Sequence, residues 1–252
     1  MTHNDRDVAS AGEDGLRAAH GRAIDPETPG AELDNLSMHP TTFVRVGVAK
    51  NPNTWDATLE HLLNDKELDV IIAVACHPKL SILSVNELSH HQEADVRASA
   101  SLNPQMPEST LAMLVFDPEP EVRRHALAHP NTPGDLLRER LKGASIDEQR
   151  AIASNPSLSE NLAIALYTHT DWKVRASLAA NPGDNIPFAV REELSKDPYT
   201  IVRQRLASNP SLPSVLRSVL MSDPDDEVAY AAQQLSESVI TRVVSGYQQM
   251  VH

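Results

Sequence analysis

Two histidines four residues apart are the first candidates for chemistry in this sequence, because His125 and His129 would share one face of a helix. Three more histidines precede them in the chain, namely His77, His90 and His91. A zinc site needs three or four ligands, and no HExxH or Cys/His spacing is present. The single cysteine, Cys76, excludes an all-cysteine metal or iron–sulfur site within one chain. We therefore predict no metal and no other cofactor.

The sequence also lacks the short motifs of common enzymes. It has no nucleophile elbow, phosphate-binding loop, dinucleotide fingerprint or catalytic carboxylate pair. Its 35 acidic and 22 basic side chains give a net charge of −13, which repels phosphate backbones and anionic lipid headgroups. The longest apolar run, from Val70 to Cys76, is too short to cross a bilayer, and no signal peptide pattern occurs. We predict a non-enzymatic, cytoplasmic protein that does not bind membranes and for which nucleic acid is a disfavoured partner.

Prolines mark an internal repeat of 26 residues. They follow Asn, His or Asp, with six spacings of 26 residues and a last one of 28, at Pro26, Pro52, Pro78, Pro104, Pro130, Pro156, Pro182 and Pro210. Such a period is the sequence signature of a repeat protein. One repeat cannot bury its apolar faces alone, so neighbouring repeats must stack into a continuous core. Since aromatic residues are only 4% of the chain, that core must be aliphatic.

Three polar columns recur with the prolines. An arginine after a valine lies seven residues before the proline, as Arg45, Arg97, Arg123, Arg175 and Arg203. An asparagine comes directly before it, as Asn51, Asn103, Asn155, Asn181 and Asn209, and His77 and His129 substitute for asparagine. An aspartate follows thirteen residues later, as Asp65, Asp117 and Asp223, with Asp197 displaced by a two-residue insertion. We predict that the arginines and aspartates form a structural ladder rather than an anion-binding stripe, because they occur in the same repeats.

These columns predict two short helices in each repeat. The residue before a proline is disfavoured in the helical region, so each Asn-Pro pair ends a helix, and the asparagine can cap free backbone groups there. A proline or serine soon afterwards begins a second helix, which carries leucines at spacings of three and four, as in Leu136, Leu137 and Leu141. The sequence therefore predicts an all-α solenoid of about eight repeats.

The run from Val122-Arg123 through His129-Pro130 to Leu137 resembles the variant leucine-rich repeat family, and the Asp-Pro-x-x-x-Val-Arg stretches resemble HEAT-like repeats. The resemblance covers about residues 24–236. It implies a right-handed superhelix with two short helices in each repeat. One of the two would be either a 3₁₀ helix or an α-helix. The best-known members carry an N-terminal cysteine cluster for an iron–sulfur centre. This sequence lacks that cluster, so no redox role is implied.

The ends of the chain depart from the repeat. We predict an acidic, polar tail over residues 1–22, in which Leu16 to Ala19 could form one helical turn, a tandem repeat domain over 23–225 and a capping helix over 226–252. The repeat domain would begin with a degenerate half-repeat, Asp25 to Pro29, which would serve as its N-terminal cap. The capping helix is predicted from an apolar stripe that runs from Val228 to Tyr247.

Departures from the repeat are where a scaffold would carry specificity. Trp55 and Trp172 lie at different repeat positions, and the insertion contains Asp184 and Asn185. We predict these four residues as contacts of a protein or peptide partner on the concave surface. The alternatives are that the tryptophans pack over neighbouring turns and that the insertion is random length variation. The alternative function is a HEAT-like nucleic-acid-acting protein, similar to alkylpurine DNA glycosylases, which would need a basic concave face.

Overall fold

The computed structural model describes residues 3–235 and the side chains of residues 13–235. In chain order the helices are α1 (His3–Ile24), α2 (Gly30–Ser37), α3 (Thr42–Lys50), α4 (Asp56–Leu62), α5 (Leu68–Ala75), α6 (Ile82–Leu88), α7 (Ala94–Ala100), α8 (Glu108–Leu114), α9 (Pro120–Ala128), α10 (Gly134–Leu141), α11 (Ile146–Ser154), α12 (Glu160–Tyr167), α13 (Trp172–Ala179), α14 (Phe188–Leu194), α15 (Thr200–Ala207) and α16 (Ser214–Leu220). Residues 226–235 are also helical. No strand occurs in residues 3–235, so the all-α prediction is confirmed.

Each repeat contributes one helix to each of two rows. The Val-Arg row comprises α3, α5, α7, α9, α11, α13 and α15, and the leucine row comprises the even-numbered helices from α2 to α16. Both rows are α-helical in the described residues, so the 3₁₀ alternative is not adopted there. The turns follow the prolines as predicted: α3 ends at its C-cap Asn51, and α10 begins after Pro133.

The chain divides into two compact units, residues 1–122 and 123–252, and the division falls inside α9. In the first unit α1, α3, α5 and α7 pack in series, and α2 packs against α4. In the second unit α11, α13 and α15 pack in series, and α12 packs against α14. Each unit is therefore a tandem stack of helix pairs, which confirms the predicted solenoid repeat.

The core between the two rows is aliphatic. Val44, Val96 and Val202 of the Val-Arg row are fully buried, and so are Leu59 and Leu137 of the leucine row. Burying one such side chain stabilises the fold by about 1.5–3 kcal/mol. Because the helices of each row also pack against those of the neighbouring repeats, the repeats stabilise one another.

The N-terminus differs from the sequence prediction, since residues 3–24 form helix α1 where a polar tail over residues 1–22 was expected. Ala19 and Ala23 are buried, and α1 packs against α3. The glycines of this segment disfavour a helix, since each lowers the stability of a helix interior by about 1 kcal/mol relative to alanine. The helix is held in place by the alanine face against α3 and by the stacking of His20 on Phe43.

The predicted C-terminal capping helix is described only in part. Residues 226–235 are helical, and Val228 and Ala232 are fully buried. The remainder of the predicted segment, residues 236–252, lies outside the described residues.

Candidate binding groove on the Val-Arg row

The recurring arginines and aspartates form bidentate ion pairs. Arg45 donates from Nε to Asp65 Oδ2 at 2.6 Å and from Nη2 to Asp65 Oδ1 at 2.9 Å, and its Nη1 donates to the main-chain oxygen of His39 at 2.8 Å. The same pairing joins Arg97 to Asp117, Arg175 to Asp197 and Arg203 to Asp223. Hydrogen bonds from the arginines hold the pKa values of Asp65 and Asp223 below their usual range. These guanidinium groups are bonded within the protein.

In the repeat of Arg123, the aspartate column is occupied by Gly143 instead of an aspartate. Arg123 pairs instead with the buried Glu148, which also forms a capping box with Ser145 at the start of α11. Burial raises the pKa of Glu148, but the hydrogen bonds from Arg123 and Ser145 and the charges of Arg123 and Arg140 together hold this pKa below its usual range. This ion pair was not predicted from the sequence, although Ser-x-x-Glu is a recognisable start signal for a helix.

Arginine and aspartate are replaced together. Two repeats have Ile71 and Gln149 in the arginine column, and the same repeats have His91 and His169 in the aspartate column. His91 Nδ1 accepts a hydrogen bond from the main-chain nitrogen two residues later, as Asp65 Oδ1 does in its own turn. The histidine thus keeps the turn where no guanidinium requires a carboxylate.

The asparagine column links neighbouring repeats. Asn155 Nδ2 donates to the main-chain oxygens of Leu127 and His129 in the preceding repeat, at 2.9 and 2.8 Å, and its Oδ1 accepts from Ser157 N at 2.8 Å. The same three bonds are made by Asn51, Asn103, Asn181 and Asn209. These side chains are almost fully buried. They bond across repeats as well as within their own turn.

His77 occupies the asparagine column with fewer bonds. Its Nε2 lies 3.1 Å from the main-chain oxygen of Asn51, and its Nδ1 accepts from Lys79 N at 3.2 Å. Burial lowers the pKa of His77 by more than the bond to Asn51 raises it. His129 is also buried, whereas His125 lies on the surface of α9. In residues 3–235 no three His, Cys, Asp or Glu side chains come together in a group that could hold a metal ion.

A groove of about 590 Å³ crosses the Val-Arg row of the second unit. Its floor is formed by the small residues Ala176 and Ser177 of α13 and by Ala180 directly after this helix. Its sides are formed by α11 and α15 together with Trp172, and the charged residues in its lining are Arg150, Lys173 and Arg205. The groove exists because small residues on the middle helix lie between long side chains on its two neighbours.

Trp172 is fixed by the ladder. Its ring stacks on Tyr199, with centroids 6.0 Å apart and planes inclined by 19°. The guanidinium of Arg175 lies 5.5 Å from the centroid of Tyr199, and the main-chain nitrogen of Tyr199 donates to Asp197 Oδ1 at 2.9 Å. The Arg175–Asp197 pair therefore orients the aromatic wall of the groove.

A second cavity of about 220 Å³ adjoins the groove and shares Arg150, Ser154 and Ser177 with it. Arg124, His125 and Asp147 also line this cavity. In the first unit the Val-Arg row has a separate cavity of about 460 Å³, whose lining includes Phe43, Val46 and Ile72 but only one cation, Lys50, with Asp69. The three cations of the groove thus have no counterpart in that cavity.

The four predicted contact residues do not form one site. Trp55 lies in the first unit, half-exposed, and its indole covers Gly30, where a Cβ would lie 2.1 Å from Nε1. Trp172 lines the groove of the second unit. Asp184 and Asn185 are exposed in the loop between α13 and α14 and are not among the groove residues.

The inserted loop is held by the guanidinium of Arg191. Arg191 is buried, and it donates to the main-chain oxygens of Gly183, Ile186 and Ser211. Burial lowers its pKa. Gly183 is required by close packing, since a Cβ there would lie 2.3 Å from the main-chain oxygen of Pro156. The loop therefore has a defined conformation.

No helix in residues 3–235 is long and apolar enough to cross a membrane.

No protein-family model matches the chain, and no curated protein matches it. Among solved structures, it is similar to one described as a leucine-rich repeat variant with a novel repetitive protein structural motif, with 19% identity, a TM-score of 0.45, and coverage of 82% of this chain and 81% of that chain. It is also similar to YibA of E. coli, with 17% identity, a TM-score of 0.46, and coverage of 89% and 96%. A designed armadillo repeat protein in complex with the peptide (KR)4 gives 15% identity, a TM-score of 0.28, and 94% coverage of both chains. These likenesses concern the repeat architecture alone, and they include a leucine-rich repeat variant, as the resemblance of the repeats predicted.

Proposed function

We propose that the protein is a non-enzymatic interaction scaffold that binds a protein or peptide partner on the Val-Arg row of its second unit. The observation that carries this proposal is a separation of roles between two sets of side chains. The arginines, aspartates and asparagines that recur with the repeat are bonded inside the protein. The side chains that differ between repeats, such as Arg150, Trp172 and Arg205, line an open groove.

This separation is what a repeat scaffold requires. Recurring residues maintain the stack, and variable residues on one face supply specificity. Trp172 is the predicted contact residue that lies in the groove, and rigid aromatic side chains are frequent hot spots of interfaces. Trp55, Asp184 and Asn185 are secondary candidates, because all three are exposed outside the groove.

A second candidate function, action on nucleic acid, is favoured by the cations Arg150, Lys173 and Arg205 in the groove. The first unit, taken by itself, offers only Lys50 in the corresponding cavity, opposed by Asp69. The net charge of −13 also opposes a long polyanion. We therefore favour a protein or peptide partner.

A photo-crosslinking experiment tests the proposal. A diazirine amino acid is placed at Ala180, an exposed residue that lines the groove, and in a matched control at Ala189, an exposed residue of α14 in the leucine row. After irradiation in extract of the source cell, we expect one protein to be joined at Ala180 but not at Ala189, and the purified partner to bind the full chain. Equal crosslinking at both positions, or none at Ala180, would refute the groove as the binding surface.

A further inference from the structure

We propose that the groove of the second unit binds an acidic peptide segment with at least two carboxylates around an aliphatic side chain. This inference rests on the proposed function and specifies the class of partner. It follows from the positive charges in the lining of the groove, the absence among the described side chains of strong ion pairs that would occupy those charges, the shape of the floor and the length of the site.

The lining of the groove is positively charged in a strongly acidic protein. Three cations, Arg150, Lys173 and Arg205, are among its ten lining residues, and none of the ten is acidic. The chain as a whole has a net charge of −13. A local concentration of one sign against the opposite background favours a ligand of complementary charge.

These cations differ from the ladder arginines in being available. Within the described residues, neither Lys173 nor Arg205 has an acidic side chain within ion-pair distance, and both are exposed. Arg150 contacts Asp147 at 2.9 Å, but the two side chains are 44% and 66% exposed. Exposed pairs of this kind contribute little and exchange readily for another carboxylate.

The floor of the groove is apolar and shaped by small residues. Ala176 and Ala180 leave the depression, and Ile201 and Trp172 form its walls. The stack of Trp172 on Tyr199 keeps one wall in place before any ligand binds, which lowers the entropic cost of binding. An aliphatic side chain would fill the floor while carboxylates on either side reach the cations.

The length of the site suits a short peptide. The groove crosses α11, α13 and α15. Packed helices lie about 8–10 Å apart, so the site spans about 16–20 Å, and an extended chain covers that distance with about five or six residues. A single-stranded nucleic acid is disfavoured because Trp172 is the single aromatic residue of the lining, so successive bases would have no series of rings on which to stack.

The test measures binding of a fluorescein-labelled hexapeptide, Glu-Glu-Leu-Glu-Glu-Leu, to the full-length protein by fluorescence anisotropy. The glutamine analogue of this peptide and a labelled thymidine hexanucleotide serve as comparison ligands. We expect the glutamate peptide to bind most tightly and to weaken with added salt, as exposed charge pairs do. Lys173→Gln and Arg205→Gln should each weaken it by about 3–10-fold, which is the range for one charged contact.

The matched control is Arg138→Gln, which removes one positive charge from an exposed side chain of α10 outside the groove. Equal affinity of the glutamate and glutamine peptides, or an equal effect of Arg138→Gln and Arg205→Gln, would overturn the inference. Tighter binding of the hexanucleotide would overturn it in favour of nucleic acid. If crosslinking at Ala180 succeeds but its partner has no acidic segment, the scaffold proposal stands and this inference alone is wrong.

Discussion

The guanidinium of Arg217 donates to the main-chain oxygen of Asn209 at 2.7 Å and to that of Ala207 at 2.9 Å. Asn209 itself donates to the corresponding oxygens of the preceding repeat, those of Asn181 and Ala179. Arg217 therefore makes the two bonds that the asparagine of a following repeat would make. It lies where Leu137 lies in an earlier repeat, and it ends the asparagine column in the described part of the chain.

We predict that Arg217→Leu destabilises the last repeat. Leucine is the residue of this helix position in several other repeats, but it cannot donate to the main-chain oxygens of Ala207 and Asn209. The oxygen of Asn209 keeps its bond from Leu212 N, whereas the bond to the oxygen of Ala207 is lost. A buried group without a hydrogen bond costs about 1–3 kcal/mol. Urea denaturation should show that loss, and amide hydrogen exchange should accelerate first in α15 and α16. Arg138→Leu, an exposed change on α10, is the control, and equal stability of Arg217→Leu and the wild type would contradict the prediction.

Asn155→Ala tests the asparagine column. Loss of a simple helix cap costs about 1 kcal/mol. Asn155 is fully buried, however, and its loss removes the bond to the main-chain oxygen of Leu127, while the oxygen of His129 keeps a bond from Thr132 N. We therefore expect a loss of about 1–3 kcal/mol in urea denaturation, since a buried acceptor loses its donor. Binding of the acidic peptide should be unchanged at temperatures where the variant is folded, and a specific loss of binding would assign Asn155 to recognition instead.

The joint replacement of arginine and aspartate can be reproduced by mutation. Arg45 and Asp65 are both buried, so Arg45→Ile or Asp65→His alone should cost about 3 kcal/mol, because each leaves an unpaired buried charge or an unmet donor. The double variant copies the pair Ile71 and His91, and we expect it to lose less than the sum of the two single variants. A double-mutant cycle in urea measures the coupling, and additive losses would show that the pairing in the repeats is coincidental.

Much of the fold was predictable because its signals are local and repeated. Each proline that marks the 26-residue repeat follows the end of a helix. The Val-Arg and leucine patterns recur at fixed distances from these prolines. Helix α1 was missed because its glycines lower the helical propensity, while the packing of Ala19 and Ala23 against α3 is a tertiary effect. Local sequence patterns do not contain that contact.

The candidate site was predictable only at Trp172, which departs visibly from the repeat. The groove depends on three helices from consecutive repeats and on the small size of Ala176 and Ala180, which in sequence look like ordinary helix residues. Arg217 and Arg191 were missed for a related reason. An arginine in a leucine position suggests an exposed cation, and only the structure shows the main-chain oxygens that it reaches.

His77→Asn should reduce the pH dependence of stability. Burial lowers the pKa of His77, so below its usual value of about 6.5 the unfolded state binds more protons than the folded state. The contribution of neutral His77 is thus present above about pH 6.5 and is lost as the pH falls. Protonation would also place a proton on Nδ1, which accepts from Lys79 N.

The measurement is urea denaturation of wild type and His77→Asn from about pH 7.5 to about pH 5, the range in which histidine titrates. All other ionisable groups are shared, so the difference between the two curves isolates His77. We expect the variant to lose less stability at low pH, because asparagine is the residue of this column in most repeats. Parallel curves would show that His77 is not held neutral by the fold.

Duplex DNA should bind weakly and without specificity. The ladder arginines Arg45, Arg97, Arg175 and Arg203 are each paired with an aspartate, so they cannot neutralise phosphates without breaking those pairs. The three cations in the groove remain, against a net charge of −13. We therefore expect a dissociation constant no tighter than about 10⁻⁴–10⁻⁶ M at physiological salt, and a slope of log affinity against log salt of about −3, for three phosphate contacts. Fluorescence anisotropy with intact and alkylated duplexes measures both quantities. Sub-micromolar binding, or release of a base from the alkylated duplex, would support a glycosylase-like function over the scaffold, because neither follows from three exposed cations and a buried ladder.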